Sequence, residues 1–216
     1  MDKKLLEALF DRAFIRLYKA IEGCEGRLYV PNRTETNKIS EQELKQLFID
    51  TFLNCEQCEN LSFSVETPTV YNYIFTKTDR SHPKPLKCSK DNSEGRRANI
   101  DVVILENKKR VAIIEFKANN PGLFEHGKDF IKLAEEPVES TKLLRYFVEV
   151  YTSTDKRTLK NIEKKIGPDN KYHTKDKNTI FLGYSLSHCS KKCVKLIFDE
   201  KEKCIKESKE KLCEQE

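Results

Sequence analysis

Apolar side chains recur three and four positions apart at the head of the chain: Leu6, Leu9, Phe10, Ala13, Leu17 and Ile21. This spacing collects them on one face of a helix from Asp2 to about Glu22, which Gly23 and Gly26 then end. A polar loop through Pro31-Asn32-Arg33 leads to Ser40-Glu41-Gln42-Glu43, a capping-box sequence in which serine and Glu43 satisfy each other's orphan amides. The stripe Leu44, Leu47, Phe48, Thr51 and Phe52 follows, so a second helix is expected over about 41–54.

At Leu61 the period changes. Phe63, Val65, Val70, Tyr71, Tyr73 and Ile74 are β-formers interrupted by Pro68, which predicts one bent strand or two short ones within 61–75. Residues 77–97 are polar and basic, with Pro83 and Pro85, and read as a long loop. Strands at 99–105 and 110–118 are then expected to form a hairpin, apolar on both faces as in a sheet covered on both sides. Helical patterns follow over about 127–135, 140–151 (Leu143, Leu144, Phe147, Val148, Tyr151) and 157–166. Residues 179–186 and 194–198 read as strands. The tail, 199–216, is almost all Lys, Glu and Cys and reads as a solvated helix or frayed end. No internal repeat or second core is visible, so one domain over 1–198 with a charged tail is expected.

Composition narrows the class. A chain of 216 residues with 12 Phe, 8 Tyr and only 7 Gly and 7 Pro is neither collagen-like, low-complexity nor disordered. No run approaches the roughly 18 apolar residues of a membrane span, so no membrane partner is expected. The N-terminus has acidic residues at 2, 7 and 11 and no apolar leader, which points to a cytoplasmic protein. The net charge of +5 permits binding to a polyanion without requiring it. The 8 cysteines are scattered, and reduced thiols are the default. Cys55 and Cys58 form a tight pair that His82 and Cys88 could complete as a zinc site, though the second half lacks a tight spacing of its own. Cys189, Cys193, Cys204 and Cys213 match no iron–sulfur ligand run.

Against these apolar strands the exceptions carry information: Asp101, Glu115 and Lys117. Alternation places Val111, Ile113, Glu115 and Lys117 on one face of the second hairpin strand. A three-residue loop centred on Lys108 would set Asp101 directly opposite Glu115, whereas a two-residue loop would offset it by one place. Two adjoining carboxylates in a half-buried place call for a cation, and hard oxygen donors suit Mg²⁺ or Mn²⁺. A lysine beside them can orient water or offset phosphoryl charge. Together they make an apparatus for metal-assisted phosphodiester hydrolysis.

Asp101 followed by Glu115-Phe116-Lys117 at the end of an apolar strand resembles the PD-(D/E)xK nuclease superfamily, the restriction-endonuclease-like fold. The triplet alone is weak, since Asp2-Lys3-Lys4, Glu106-Asn107-Lys108, Glu163-Lys164-Lys165 and Glu207-Ser208-Lys209 share it. Only Glu115-Phe116-Lys117 ends an apolar strand and has an acidic partner in the neighbouring one. Ile100 precedes Asp101 where the family often has proline. The resemblance implies an α/β fold with an αβββαβ core over about 40–186, a mixed sheet flanked by helices, plus an extra N-terminal helix and the charged tail. It implies a Mg²⁺- or Mn²⁺-dependent nuclease, with DNA as the expected substrate, in which Asp101 and Glu115 are metal ligands and Lys117 is the catalytic lysine. The family's acidic residue from the preceding helix is best matched by Glu43, with Glu41 and Glu35 as weaker substitutes. A Lys on the following helix would be Lys128 or Lys132.

Nucleic-acid contacts are expected from Arg96, Arg97, Lys128 and Lys132, with Lys84, Lys87, Lys90 and a basic helix over 156–165 as further phosphate binders. Tyr71, Tyr73 and Phe75 are sheet core or base-stacking residues, and His126 is either a loop surface residue or an aid to catalysis. Two rivals stand beside the nuclease: an inactive module of the same fold that binds nucleic acid or protein, and a metal-dependent phosphatase. A homodimer would suit double-strand cleavage, but no residue demands one.

Overall fold

The structure is a computed structural model that describes residues 1–21, 40–74, 87–119, 123–137, 143–151, 156–166, 179–187, 192–199 and 204–207. Helices α1 (Lys3–Ile21) and α2 (Glu41–Leu53) form where the apolar spacing places them. Ser40 starts α2 in an extended conformation, its side chain accepting from the Gln42 amide at 3.1 Å while the Glu43 carboxylate accepts from the Ser40 amide at 2.9 Å. A short 3₁₀ turn, Glu56–Cys58, follows.

Strands β1 (Leu61–Ile74), β2 (Lys87–Ser89), β3 (Arg96–Glu106) and β4 (Lys109–Ala118) come next, then α3 (Leu123–Glu135), β5 (Leu144–Tyr151), α4 (Lys156–Ile166), β6 (Thr179–Ser187), β7 (Lys192–Asp199) and β8 (Cys204–Glu207). They make one mixed sheet in the order β2-β1-β3-β4-β5-β6-β7-β8. β4, β5 and β6 run parallel, and every other neighbouring pair is antiparallel. Parallel neighbours need crossover connections, which is why α3 and α4 fall between β4 and β5 and between β5 and β6.

Helices cover both faces. Leu6, Phe10 and Phe14 of α1 and Leu44 and Phe48 of α2 pack with Ala112, Ile114, Phe116, Tyr146 and Val148. Phe10 stacks on Phe48 at 4.8 Å and Phe14 on Tyr184 at 4.6 Å. On the opposite face Phe130 and Leu133 of α3 pack with Ile113, Phe147 and Phe181. The N-terminal helix is therefore a layer of the core rather than an appendage. Its Asp11 accepts from Tyr184 at 2.7 Å and pairs with Lys195 at 2.9 Å, tying it to the far half of the sheet.

Besides strand β2 and the start of β3, which fall inside the expected loop of 77–97, two elements differ from expectation. Residues 144–151, read as part of a helix, are strand β5, buried at every position. A strand buried on both faces is largely apolar, here interrupted only by the buried Arg145 and Glu149, so helical spacings occur in it by chance. The real period is two: Leu144, Tyr146, Val148 and Val150 face α1 and α2, while Phe147 and Tyr151 face α3. The strand beside β4 after the crossover is accordingly 144–151, with the expected 179–186 strand one place further out. The tail is the second correction, because Cys204–Glu207 pairs with β7 as a short, charged edge strand.

The hairpin turn is also not the expected one. Asn107 and Lys108 both have positive φ, 52° and 64°, which makes a tight two-residue turn with Glu106 paired to Lys109. The register then shifts between Ile104 and Leu105, leaving Val111 as an extra residue, and resumes as Ile104 with Ala112 and Val102 with Ile114. This bulge cancels the offset that a two-residue turn imposes.

β1 is one strand with an irregularity between Pro68 and Asn72, where the buried Glu136 carboxylate takes over from the ladder. It accepts from the Val70 amide at 2.9 Å and the Tyr73 hydroxyl at 3.1 Å, and pairs with Arg110 at 2.8 Å. At the start of β3, Gly95 holds φ +75°, and a Cβ there would stand 2.5 Å from the Tyr73 carbonyl oxygen. Gly95→Ala is expected to cost more than about 1 kcal/mol, read as a fall in the urea unfolding midpoint.

Candidate active site

The pairing of Val102 with Ile114 closes the β3–β4 ladder, so the bulged register brings the next residues, Asp101 and Glu115, side by side at the end away from the turn. One Asp101 oxygen accepts from the Phe116 amide at 2.8 Å, fixing the carboxylate against β4. On its other side β1 pairs Val65 with Val102 and Thr67 with Ile100, so Glu66 faces Asp101. Glu66 has φ 47°, a conformation uncommon for a non-glycine residue. Between them lies Lys45 of α2, buried, 2.5 Å from Glu66 Oε1 and 3.6 Å from Asp101 Oδ1.

Glu115 and Lys117 project together from β4 towards α3, both buried. Glu115 Oε1 is 2.7 Å from Lys132 Nζ, and Lys132 also pairs with Asp129 at 2.8 Å and donates to the Asn99 carbonyl at 2.8 Å. Lys117 Nζ lies 2.9 Å from Asp129 and 3.4 Å from Glu41. Burial raises the Glu115 carboxyl well above the ordinary carboxylate range; Lys132 opposes this, and the charges of Asp129 and Asp101 add to it. Burial works against the charge of Lys117, but Asp129 and Glu41 outweigh it and lift its pKa. Lys132 is likewise raised by Glu115 and Asp129 against burial, and Asp129 is lowered by Lys132 and Lys117 despite its own burial. Glu41 is raised by burial, with Lys117 opposing.

Glu66, Asp101, Glu115, Lys117, Asp129 and Lys132 line a cavity of about 470 Å³, into which Arg96, Arg97 and Lys128 also open. Arg96 and Arg97 are exposed and Lys128 half-buried, so the cavity has a basic rim. Lys132, expected among the nucleic-acid contacts, lies inside the site instead, its ammonium surrounded by protein oxygens. Glu43, expected to complete the acidic set, is turned to the Ser40 amide, and Glu41 reaches Lys117 in its place. Asp129, Lys45 and Glu66 escaped the sequence reading. The available signal for Asp129 was its place on the inward stripe of α3, three residues before Lys132 and one before Phe130.

Other candidates stand apart. Tyr73 is core, bonded to Glu136. His126 is on α3, fully buried, 2.8 Å from Glu149 and edge-on to Phe147, so it is not a surface loop residue. Cys55 and Cys58 are buried against α1 and α2, where burial and the neighbouring Cys55 push the Cys58 thiol up to about 12. Cys88 packs in a different cluster beside Tyr73, so the structure does not bring it to that pair. Lys90 pairs with Glu135 at 2.8 Å. Glu35, Phe75, His82 and Lys84 lie outside the described residues.

No family model matches this chain, and neither a curated protein nor a solved structure matches it. Among the described residues no helix is long and apolar enough to cross a membrane. None of the described His, Cys, Asp and Glu residues form a group of three arranged to hold a metal ion. Asp101 and Glu115 do supply two hard carboxylate donors beside an open cavity, and Mg²⁺ commonly takes one or two carboxylates and fills its remaining positions with water and substrate phosphate. The donor chemistry fits such an ion.

Proposed function

We propose that this protein is a divalent-metal-dependent nuclease of the restriction-endonuclease-like fold, acting on DNA. The observation that carries the reading is the meeting of Asp101, Glu115 and Lys117 in one cavity rimmed by Arg96, Arg97 and Lys128. The order α2, β1, β3, β4, α3, β5 supports it, being αβββαβ once the short β2 is set aside, with an antiparallel trio followed by a parallel strand.

Arg96, Arg97 and Lys128 would hold the phosphates flanking the scissile bond, contacts that position a backbone without reading bases. Asp101, steadied by the Phe116 amide, and Glu115 would hold Mg²⁺ or Mn²⁺, which when bound supplies Lewis-acid polarisation of the phosphoryl oxygens. Lys117, kept charged by Asp129 and Glu41, would donate to the attacking water or to charge developing on the phosphoryl group. Supercoiled plasmid with Mg²⁺ tests this through Lys117. Lys117→Ala is expected to slow nicking by about a hundredfold or more at unchanged folding, and a variant that nicks as fast as the wild type would remove Lys117 from the mechanism.

A second reading, a binding module without catalysis, draws on one specific feature. Lys45 and Lys132 already neutralise the two carboxylates that a metal would use. It predicts DNA retention in gel shifts that is indifferent to chelator and survives loss of Asp101.

A further inference from the structure

Lys117 needs more than charge to act on a phosphoryl group: its ammonium must be held at one point, although its four-carbon stem leaves many rotamers open. Two carboxylates approach it. Glu41 is 40% exposed and stands 3.4 Å away, whereas Asp129 is 1% exposed and stands 2.9 Å away. Asp129 stands on α3 next to Phe130 and one turn before Leu133, both packed in the core, and is itself buried where packing alone would be served by an apolar residue. Its two oxygens are divided, Oδ2 to Lys117 and Oδ1 to Lys132, and Lys132 in turn holds Glu115. One buried carboxylate thus spans both residues that β4 contributes to the site.

We infer that Asp129 is a positioning residue, which fixes the Lys117 ammonium in the cavity and, through Lys132, steadies Glu115. This rests on the proposed function for its catalytic consequence, but the placing of Lys117 is a claim about the protein alone. Asn in place of Asp129 keeps the shape, yet must turn its NH₂ group towards one of the two ammonium groups. In either orientation the negative charge of Asp129 is lost: Lys132 retains the buried Glu115 carboxylate and the Asn99 carbonyl, while the carboxylate remaining to Lys117 is Glu41, 3.4 Å away and 40% exposed. The damage therefore falls on Lys117.

The experiment uses the full chain as wild type, Asp129→Asn, Asp129→Glu, Lys117→Met and the Asp129→Asn/Lys117→Met double variant, each checked for folding by thermal unfolding. Proton–nitrogen correlation spectra of lysine ammonium groups, with Lys117→Met providing the assignment, read the placing of Lys117 without any substrate. A slowly exchanging Lys117 signal is expected in the wild type and in Asp129→Glu, and its loss is expected in Asp129→Asn. On plasmid with Mg²⁺, Asp129→Asn should lower kcat by about a hundredfold with KM within about threefold. Asp129→Glu should recover part of that loss, and the double variant should be no slower than Lys117→Met, because the two residues act as one unit. A Lys117 signal that persists in Asp129→Asn, an Asp129→Asn kcat within about threefold of wild type, or multiplicative losses in the double variant would each overturn the inference. Should the wild type cleave nothing, the nuclease reading falls, and the ammonium signal still decides whether Asp129 places Lys117.

Discussion

Asp101→Asn is expected to leave the protein folded and to slow phosphodiester cleavage by about a thousandfold, roughly 4 kcal/mol of transition-state stabilisation. Asparagine has the shape of aspartate, and its amide oxygen can accept the Phe116 amide bond that now measures 2.8 Å. Lys45 keeps Glu66 as its closer partner, so no buried ammonium is stranded. What disappears is one negative charge at the point where two strands present carboxylates side by side. Cleavage would suffer through loss of a hard oxygen donor, while retention of DNA by the basic rim would change little. Single-turnover rates on plasmid, with circular dichroism and thermal unfolding as controls, separate these effects. The contrast with the binding-module reading is sharp, because that reading predicts no rate to lose.

Glu136→Ala is expected to be the most damaging single change to stability, about 3–5 kcal/mol. Glu136 is 2% exposed and joins two strands of the sheet, pairing with Arg110 of β4 and accepting from the Val70 amide and Tyr73 hydroxyl of β1. Truncation would remove the acceptor from both donors and the carboxylate from Arg110, at the place where the β1 ladder breaks off. Glu136→Gln keeps an acceptor oxygen and should cost less. Urea unfolding of the two variants checks the order. Arg110 also donates to the Pro68 carbonyl at 3.1 Å, so the site is a clamp on the irregular segment of β1 rather than an isolated ion pair.

The hairpin and its two carboxylates were legible because an apolar strand with a single acidic interruption is a strong signal, and alternation assigns the face. Their alignment came out as expected by a different route. A two-residue turn at Asn107-Lys108 would have misaligned Asp101, and the extra residue at Val111 restores it. Nothing marks Val111 in the sequence, since a bulge of this kind needs no glycine. Strand β5 was misread because burial on both faces erases the alternation that distinguishes strand from helix. Glu43 illustrates a competition for one carboxylate. The capping box and the candidate site both had use for it, and the cap, only three residues away, holds it. Lys45 and Asp129 were invisible for another reason. Charged residues on helices are read as solvated, and only tertiary structure shows that these two are buried against partners from other elements.

Hydrolysis of phosphodiester bonds in this cavity, with the help of a divalent ion, is the proposal on which the other expectations rest. Its most direct test is incubation of the wild-type protein with supercoiled plasmid, linear duplex, single-stranded DNA and RNA, each with Mg²⁺, Mn²⁺ or EDTA. Cleavage of DNA is expected to appear with either metal and to stop with EDTA. Intact substrates under every metal condition, with gel shifts that EDTA leaves unchanged, would contradict it.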